Sequence, residues 1–177
     1  MSTLIKGILD VSKIEAGEMP VSYMELNLLD FARYMSERYI PIASKKKITI
    51  SVDPESDSAM VYADNELLSR ILQNLFVNAL RYAETRIDVS VKCHNGKTIL
   101  CIADDGIGIP KDYREKIFEK FFQIDDVAGK RKYGFGLGLA FCKIAVEAQG
   151  GCIWVESEEG KGAAFKIQLD IAGSGAV

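Results

Sequence analysis

Three stretches of the sequence carry side chains that could do chemistry together. Asn74-Leu75-Phe76-Val77-Asn78 sets two carboxamides four residues apart, one turn of a helix. A carboxamide oxygen is a neutral ligand suited to Mg²⁺, which prefers oxygen and keeps several waters. Asp104-Asp105-Gly106-Ile107-Gly108-Ile109-Pro110 puts a carboxylate just ahead of two glycines. The carboxylate can accept from the exocyclic amine of an adenine, and the glycines let the backbone turn with positive φ and come close to the base. Gly134-Phe135-Gly136-Leu137-Gly138-Leu139 runs into a helix, whose first N–H groups and positive dipole end suit phosphates. Each stretch has a blander reading alone. The asparagines could sit on a solvated helix edge, and Asp104 could end an ordinary Asp-Gly turn. The glycine run has neither the Walker spacing nor a preceding strand. Taken in this order they describe one pocket, with an adenine acceptor, a metal ligand and a phosphate cradle, as in a domain that handles ATP.

The elements that must position these groups follow from periodicity. Residues 1–18 predict a helix with Ile5, Ile8, Leu9 and Ser12 near one face and Leu4 and Val11 widening it, ended by Gly17 and Pro20. A helix of that length is marginal alone and wants a partner helix. A second helix is expected from Leu26 to about Lys46, kinked or cut short by Pro41. Residues 47–52 and 60–62 predict strands around a turn at 53–57. Asp64 is a good N-cap for a helix running to about Glu84 with Leu68, Ile71, Leu72, Leu75 and Ala79 as its core stripe. Ile87, Val89, Val91 and Cys93 alternate with polar residues up to Asn95-Gly96, a strong two-residue turn signal. If that turn sets the register, Val91 faces Leu100, Val89 faces Ile102 and Ile87 faces Asp104. Asp104 then shares the core-facing side of the sheet, where a carboxylate is costly unless something satisfies it. A short helix near 112–118, a loop over 121–133, a helix from Gly138 to Gly150-Gly151 and strands at 152–157 and 163–169 complete the pattern. Hairpin-joined strands with helices gathered on one face predict an α+β fold. It is a two-layer α/β sandwich with a mixed, mostly antiparallel sheet, plus an N-terminal helix remnant.

The chain of 177 residues is 48% hydrophobic and 27% charged, the balance of an ordinary globular domain with a small appendage. A net charge of −3 argues against a nucleic-acid partner, so an anionic ligand must be held by local donors. No apolar run approaches a membrane span, and charge interrupts the opening residues too early for a secretory leader. Cys93, Cys101, Cys142 and Cys152 lack C-x-x-C spacing and the chain has one histidine, so buried free thiols in a reducing cytoplasm are expected rather than zinc. His94 falls in a hairpin turn, where an exposed polar residue is expected. Lys130-Arg131-Lys132 could reach phosphates when the loop closes, or form a solvated charge run.

Together these residues resemble the ATP-binding catalytic domain of sensor histidine kinases, within the Bergerat-fold ATPases. Asn74 to Tyr82 resembles the N box, Asp104 to Pro110 the first glycine box, Ile117 to Gln123 the F box, and Gly134 to Leu139 the second glycine box. Glu156 to Gly162 resembles the terminal glycine hairpin, and Leu9 to Gly17 the end of the second helix of a dimerisation and phosphoacceptor domain. The resemblance implies a helix end at 1–18, a linker at 19–25, a catalytic domain at 26–171 and a tail at 172–177. It implies that Asp104 binds the adenine amine, Asn78 ligates Mg²⁺ and Asn74 lies near the phosphates. Arg81, Tyr82, Gly106, Gly108, Ile109, Phe121, Lys130, Gly134, Gly136, Leu137, Gly138 and Leu139 would form the rest of the ATP site.

By the same resemblance, the γ-phosphoryl group passes to a histidine on a phosphoacceptor helix and then to a response-regulator receiver domain, in a homodimeric parent. Hydrolysing Bergerat ATPases carry a glutamate where Asn74 stands, and an amide cannot serve as general base for water. Gln123 stands where many relatives have an arginine aimed at the phosphates, and Phe135 replaces a common threonine. The phosphoacceptor histidine would precede Met1, so the chain resembles part of a larger kinase. An ATP hydrolase, a non-catalytic pseudokinase and an anti-sigma serine kinase remain the alternative readings.

Overall fold

The computed structural model describes residue 9 and residues 11–14, 16–18, 20–124 and 135–172. Its main sheet grows from the β4–β5 hairpin, Arg86–His94 and Lys97–Asp104. Asn95 and Gly96 both take positive φ, 49° and 73°, as a type I′ turn requires. The turn sets the expected register: Val91 pairs with Leu100, Val89 with Ile102 and Ile87 with Asp104. Along β5 the residues alternate between buried and half-buried, so Thr98, Leu100, Ile102 and Asp104 face the core.

The other strands assemble around this hairpin. β2 (Thr49–Val52) runs parallel to β4, β7 (Ala163–Asp170) antiparallel to β5, and β6 (Cys152–Ser157) antiparallel to β7. The five-stranded order is β2-β4-β5-β7-β6. Three helices cover one face: α1 (Leu28–Lys45), α2 (Asn65–Tyr82) and α3 (Gly138–Glu147). Leu68, Ile71, Leu72, Leu75 and Phe76 of α2 are buried with Ile87, Leu100, Ile102, Phe165 and Ile167 of the sheet. Tyr39 of α1 stacks on Phe76 with centroids 4.9 Å apart. This is the expected two-layer α+β sandwich with a mixed, mostly antiparallel sheet.

Several elements differ from expectation. The stretch expected to be a linker contributes β1 (Tyr23–Asn27), which pairs antiparallel with β3 (Met60–Asp64) in a separate two-stranded sheet. Consequently α1 starts at Leu28, with Asn27 as its N-cap accepting from the N–H groups of Leu29 and Asp30. Pro41 does not end α1, which continues to Lys45. Pro41 and Glu37, whose carbonyl loses its partner, are both exposed, so the missing hydrogen bond falls on the solvent side. The expected helix near 112–118 is two 3₁₀ turns, Lys111–Tyr113 and Lys116–Phe118.

At the N-terminus, residues 11–14 are helical and Gly17, at φ 67°, stops the helix. The Glu18 N–H bonds Lys13 O and the Gly17 N–H bonds Ile14 O, a Schellman arrangement. Val11 and Ile14 join the core, whereas Leu9 and Ser12 are exposed, so the packed side differs from the expected face. Leu4, Ile5 and Ile8 lie outside the described residues. All four cysteines are free, but only Cys142 is buried; Cys93 and Cys101 are half-buried and Cys152 is exposed. Among the described residues no helix is long and apolar enough to cross a membrane.

Candidate functional site

The first part of the site forms where β5 ends. Asp104 is buried and paired between Ile87 and Ala163, and its Oδ1 accepts from the Gly106 N–H at 3.0 Å. Gly106 lies so close to the last turn of α2 that a Cβ there would fall 2.2 Å from Tyr82 O. The absence of a side chain at Gly106 therefore lets the carboxylate of Asp104 and the end of α2 meet. Gly108, at φ 71°, packs equally tightly on the β6–β7 turn, its Cβ position 2.1 Å from Glu158 O. Two hydrogen bonds fasten the loop to that turn, the Gly160 N–H to Ile107 O (2.7 Å) and the Ile109 N–H to Ser157 Oγ (2.8 Å), while Ser157 Oγ–H to Gly162 O (2.6 Å) closes the turn itself.

Asp105 holds the other side of the loop. Its carboxylate accepts from the N–H groups of Glu84, Thr85 and Arg86 and from the Thr85 hydroxyl. Burial raises its pKa, but the Thr85 hydroxyl and the three backbone donors outweigh it and bring the carboxyl from 3.8 to about 2. A folded-state pKa below the unfolded value stabilises the fold above about pH 4, and that contribution disappears as pH falls through 2. Asp105→Asn should therefore lower stability near pH 7 by about 1 kcal/mol after allowance for solvent screening. Denaturation curves of parent and variant should converge below about pH 2.

The second part lies one to two turns back along α2. Asn74 donates from Nδ2 to Arg70 O at 3.0 Å, and its Oδ1 lies 3.0 Å from where a Cβ on Gly138 would sit. Asn78 follows one turn later on the same face and is half-buried. Gly138 is the first residue of α3. Asn27 caps α1 and Asp64 caps α2, but among the described residues no side chain caps α3. Its first N–H groups thus keep their capacity to bind an anion. Gly136, at φ 67°, leaves no room for a Cβ beside the Phe121 and Phe122 backbones, and the Phe121 N–H bonds Gly136 O at 2.9 Å. Tyr82, half-buried at the end of α2, carries the Arg81 guanidinium 5.2 Å above its ring.

Comparison with known proteins decides what kind of domain carries this arrangement. The family described as "Histidine kinase-, DNA gyrase B-, and HSP90-like ATPase" matches residues 63–173. The chain belongs to this ATPase family. It is 32% identical over 173 residues to the sensor histidine kinase RppB of Synechocystis sp., covering 97% of this chain and 38% of RppB. It is 31% identical over 174 residues to the adaptive-response sensory kinase SasA of Crocosphaera subtropica, covering 97% of this chain and 45% of SasA. Among solved structures, full-length ShkA in complex with AMPPNP matches with a TM-score of 0.86 and 29% identity, over 98% of this chain and 36% of ShkA. The nucleotide-free catalytic domain of histidine kinase ThkA matches with a TM-score of 0.72 and 25% identity, over 85% of this chain and 96% of that domain. The chain thus spans less than half the length of these two curated relatives.

In this histidine-kinase-type catalytic domain the expected site residues fall into small groups around α2, the β6–β7 turn and the start of α3. Asp104, Gly106 and Tyr82 meet at the C-terminal end of α2, and Asn74 and Gly138 meet two turns earlier. Gly108 and Ile109 join the loop to the β6–β7 turn, and Gly136 joins Phe121 to the start of α3. Leu137 is buried just ahead of α3, and Leu139 is half-buried in its first turn. Lys130 and Gly134 lie outside the described residues, as do Arg131 and Lys132. Sequence reasoning passed over the holding roles of Asp105, Ser157 and Gly162. A second Asp beside a core-facing Asp was the available signal for the first.

Proposed function

We propose that this chain binds Mg-ATP between α2 and the glycine loops and transfers the γ-phosphoryl group to a histidine on a separate phosphoacceptor helix. The observation that carries this reading is the pairing of two half-sites on one helix. Tyr82 with Asp104 marks an adenine end, and Asn74 with the uncapped start of α3 marks a phosphate end, about 12 Å apart along α2. Asp104 accepts from the adenine amine, while Gly136, Leu137 and Gly138 present backbone N–H groups to the phosphates. Mg²⁺ supplies charge neutralisation across the phosphate oxygens. Asn78 offers it one neutral oxygen. A single neutral oxygen leaves most of the coordination positions of Mg²⁺ to other oxygens, so this donor chemistry suits a metal shared with the nucleotide and water.

The acceptor belongs to another segment. The one histidine, His94, is exposed at the far end of β4, about 23 Å of strand from Ile87, the partner of Asp104. The acceptor imidazole nitrogen attacks the γ-phosphorus, the bond to the β–γ bridging oxygen breaks, and ADP leaves. Asn74 has no proton-accepting side chain to activate water in competition. A response-regulator receiver aspartate then takes the phosphoryl group from the histidine. This domain lies in the cytoplasm as part of a homodimeric parent, to which Leu9 to Gly17 contribute the end of a dimerisation helix.

The test mixes the chain with a histidine-bearing phosphoacceptor domain and γ-labelled ATP. Label should appear on the histidine with the parent chain and fall at least tenfold with Asn78→Ala. Calorimetry that finds no nucleotide binding would favour a non-catalytic module. Steady phosphate release abolished by Asn74→Ala would favour a hydrolase.

A further inference from the structure

The segment from Glu156 to Gly162 has no part in the phosphotransfer just described, yet it packs against the loop that carries Asp104. Strand pairing puts Asp104 of β5, Ala163 of β7 and Ser157 of β6 side by side in one row. Residues opposite one another in a sheet share a face. Ser157 therefore lies on the core-facing side with Asp104, and one alanine separates them.

The half-buried Ser157 hydroxyl makes hydrogen bonds of opposite sense. It accepts from the Ile109 N–H at 2.8 Å and donates to Gly162 O at 2.6 Å. These partners stand at the two ends of the Asp104–Ile109 loop. Ile109 is its last residue. Gly162 lies against its first, since a Cβ on Gly162 would fall 1.8 Å from Asp104 O. A hydroxyl can donate and accept at once. An apolar side chain of the same shape removes the acceptor from the Ile109 N–H and the donor from Gly162 O. The position of Asp104 matters for the choice of base. An amine facing its carboxylate makes a charge-assisted hydrogen bond, whereas a carbonyl facing it sets acceptor against acceptor. That difference is largest when the carboxylate is well aligned, because hydrogen bonds weaken steeply with angle.

We infer that Ser157 is a positioning residue for base selection. Its hydroxyl holds the Ile109 end of the loop directly and the Asp104 end through Gly162, and so keeps the carboxylate aligned on an exocyclic amine. The inference rests on the proposed adenine end of the nucleotide site. It adds a residue that keeps this end selective for an amine-bearing purine over a carbonyl-bearing one.

The experiment measures calorimetric affinities of the full chain for ADP and for inosine diphosphate, which carries a carbonyl where adenine has its amine. It compares the parent with Ser157→Thr and Ser157→Val. Thr and Val share a shape and both suit a strand, so these variants differ in the hydroxyl alone. The parent should prefer ADP by about tenfold or more. Ser157→Thr should keep that preference to within about twofold, and Ser157→Val should reduce it by about threefold or more, chiefly by weakening ADP. Should Ser157→Val fail to fold, Ser157→Ala takes its place with the same readings. Equal weakening of both ligands on loss of the hydroxyl would make Ser157 a brace for stability and overturn the inference. An unchanged preference would overturn it too, as would a preference lost in Ser157→Thr and Ser157→Val alike. A parent that binds both ligands equally would overturn the proposed adenine end itself, whatever the variants show.

Discussion

Asp104→Asn should leave the chain folded and weaken ATP and ADP alike by about 10–100-fold, the range for losing a charge-assisted hydrogen bond. The fold survives because an Asn amide meets the same contact with the loop. The Asp104 Oδ1 accepts from the Gly106 N–H, and the oxygen of an Asn amide accepts the same bond. The remaining acceptor of the carboxylate becomes an NH₂ group, which faces the amine of the base donor to donor. Turning the amide over would restore an acceptor to the adenine only by setting the NH₂ against the Gly106 N–H. One of the two hydrogen bonds is therefore lost in either orientation. A thermal midpoint within a few degrees of the parent, with nucleotide affinity lost, separates a binding role from a folding role. A variant that binds as the parent does would leave the buried carboxylate without a function in the site.

Asp104 also shows how much of the molecule was legible in the sequence. Asn95-Gly96 admits a two-residue hairpin, and counting back from it fixes the register of nine- and eight-residue strands, Asp104 included. Because the period of a strand is two, the count also tells which face Asp104 occupies. The core stripe of α2 was legible for a similar reason, since Leu68, Ile71, Leu72 and Leu75 follow the helical period and all are buried. β1 was not legible. Tyr23-Met24-Glu25-Leu26-Asn27 carries no clean alternation, its first three residues being exposed and its last two half-buried. What orders it is pairing with β3 and the hydrogen bond from the Ser22 N–H to Asp64, both long-range. Pro41 does not end the helix because a helix tolerates proline when the carbonyl it orphans faces solvent, and the facing direction is a tertiary property. The close approaches that assemble the site were hidden too. Composition reveals that Gly106, Gly108 and Gly162 are glycines, but not which backbone each must clear.

Gly162 is where that clearance matters most, and Gly162→Ala should be the most damaging single-methyl change in the site. A Cβ there would lie 1.8 Å from the carbonyl oxygen of Asp104, at φ 84°. The conformation alone costs about 1–2 kcal/mol for a residue with a side chain. The clash adds more, because the atom it meets is backbone, held by pairing on both sides of β5. Gly160, two residues earlier in the same turn, has a similar φ of 78° but nothing within 4 Å of its Cβ position. Gly160→Ala therefore isolates the conformational term and should cost about 1 kcal/mol. Gly162→Ala should cost about 3–5 kcal/mol, a fall in Tm of about 10 °C against about 3 °C for the control. Relief of the clash must move the end of β5, which carries Asp104. Nucleotide affinity should then fall with stability in Gly162→Ala and stay near the parent's in Gly160→Ala. Equal effects of the two substitutions on Tm would mean that backbone conformation, rather than the contact with Asp104, is what the β6–β7 turn contributes. The carboxylate would then owe its position to the hairpin register and to Gly106 alone.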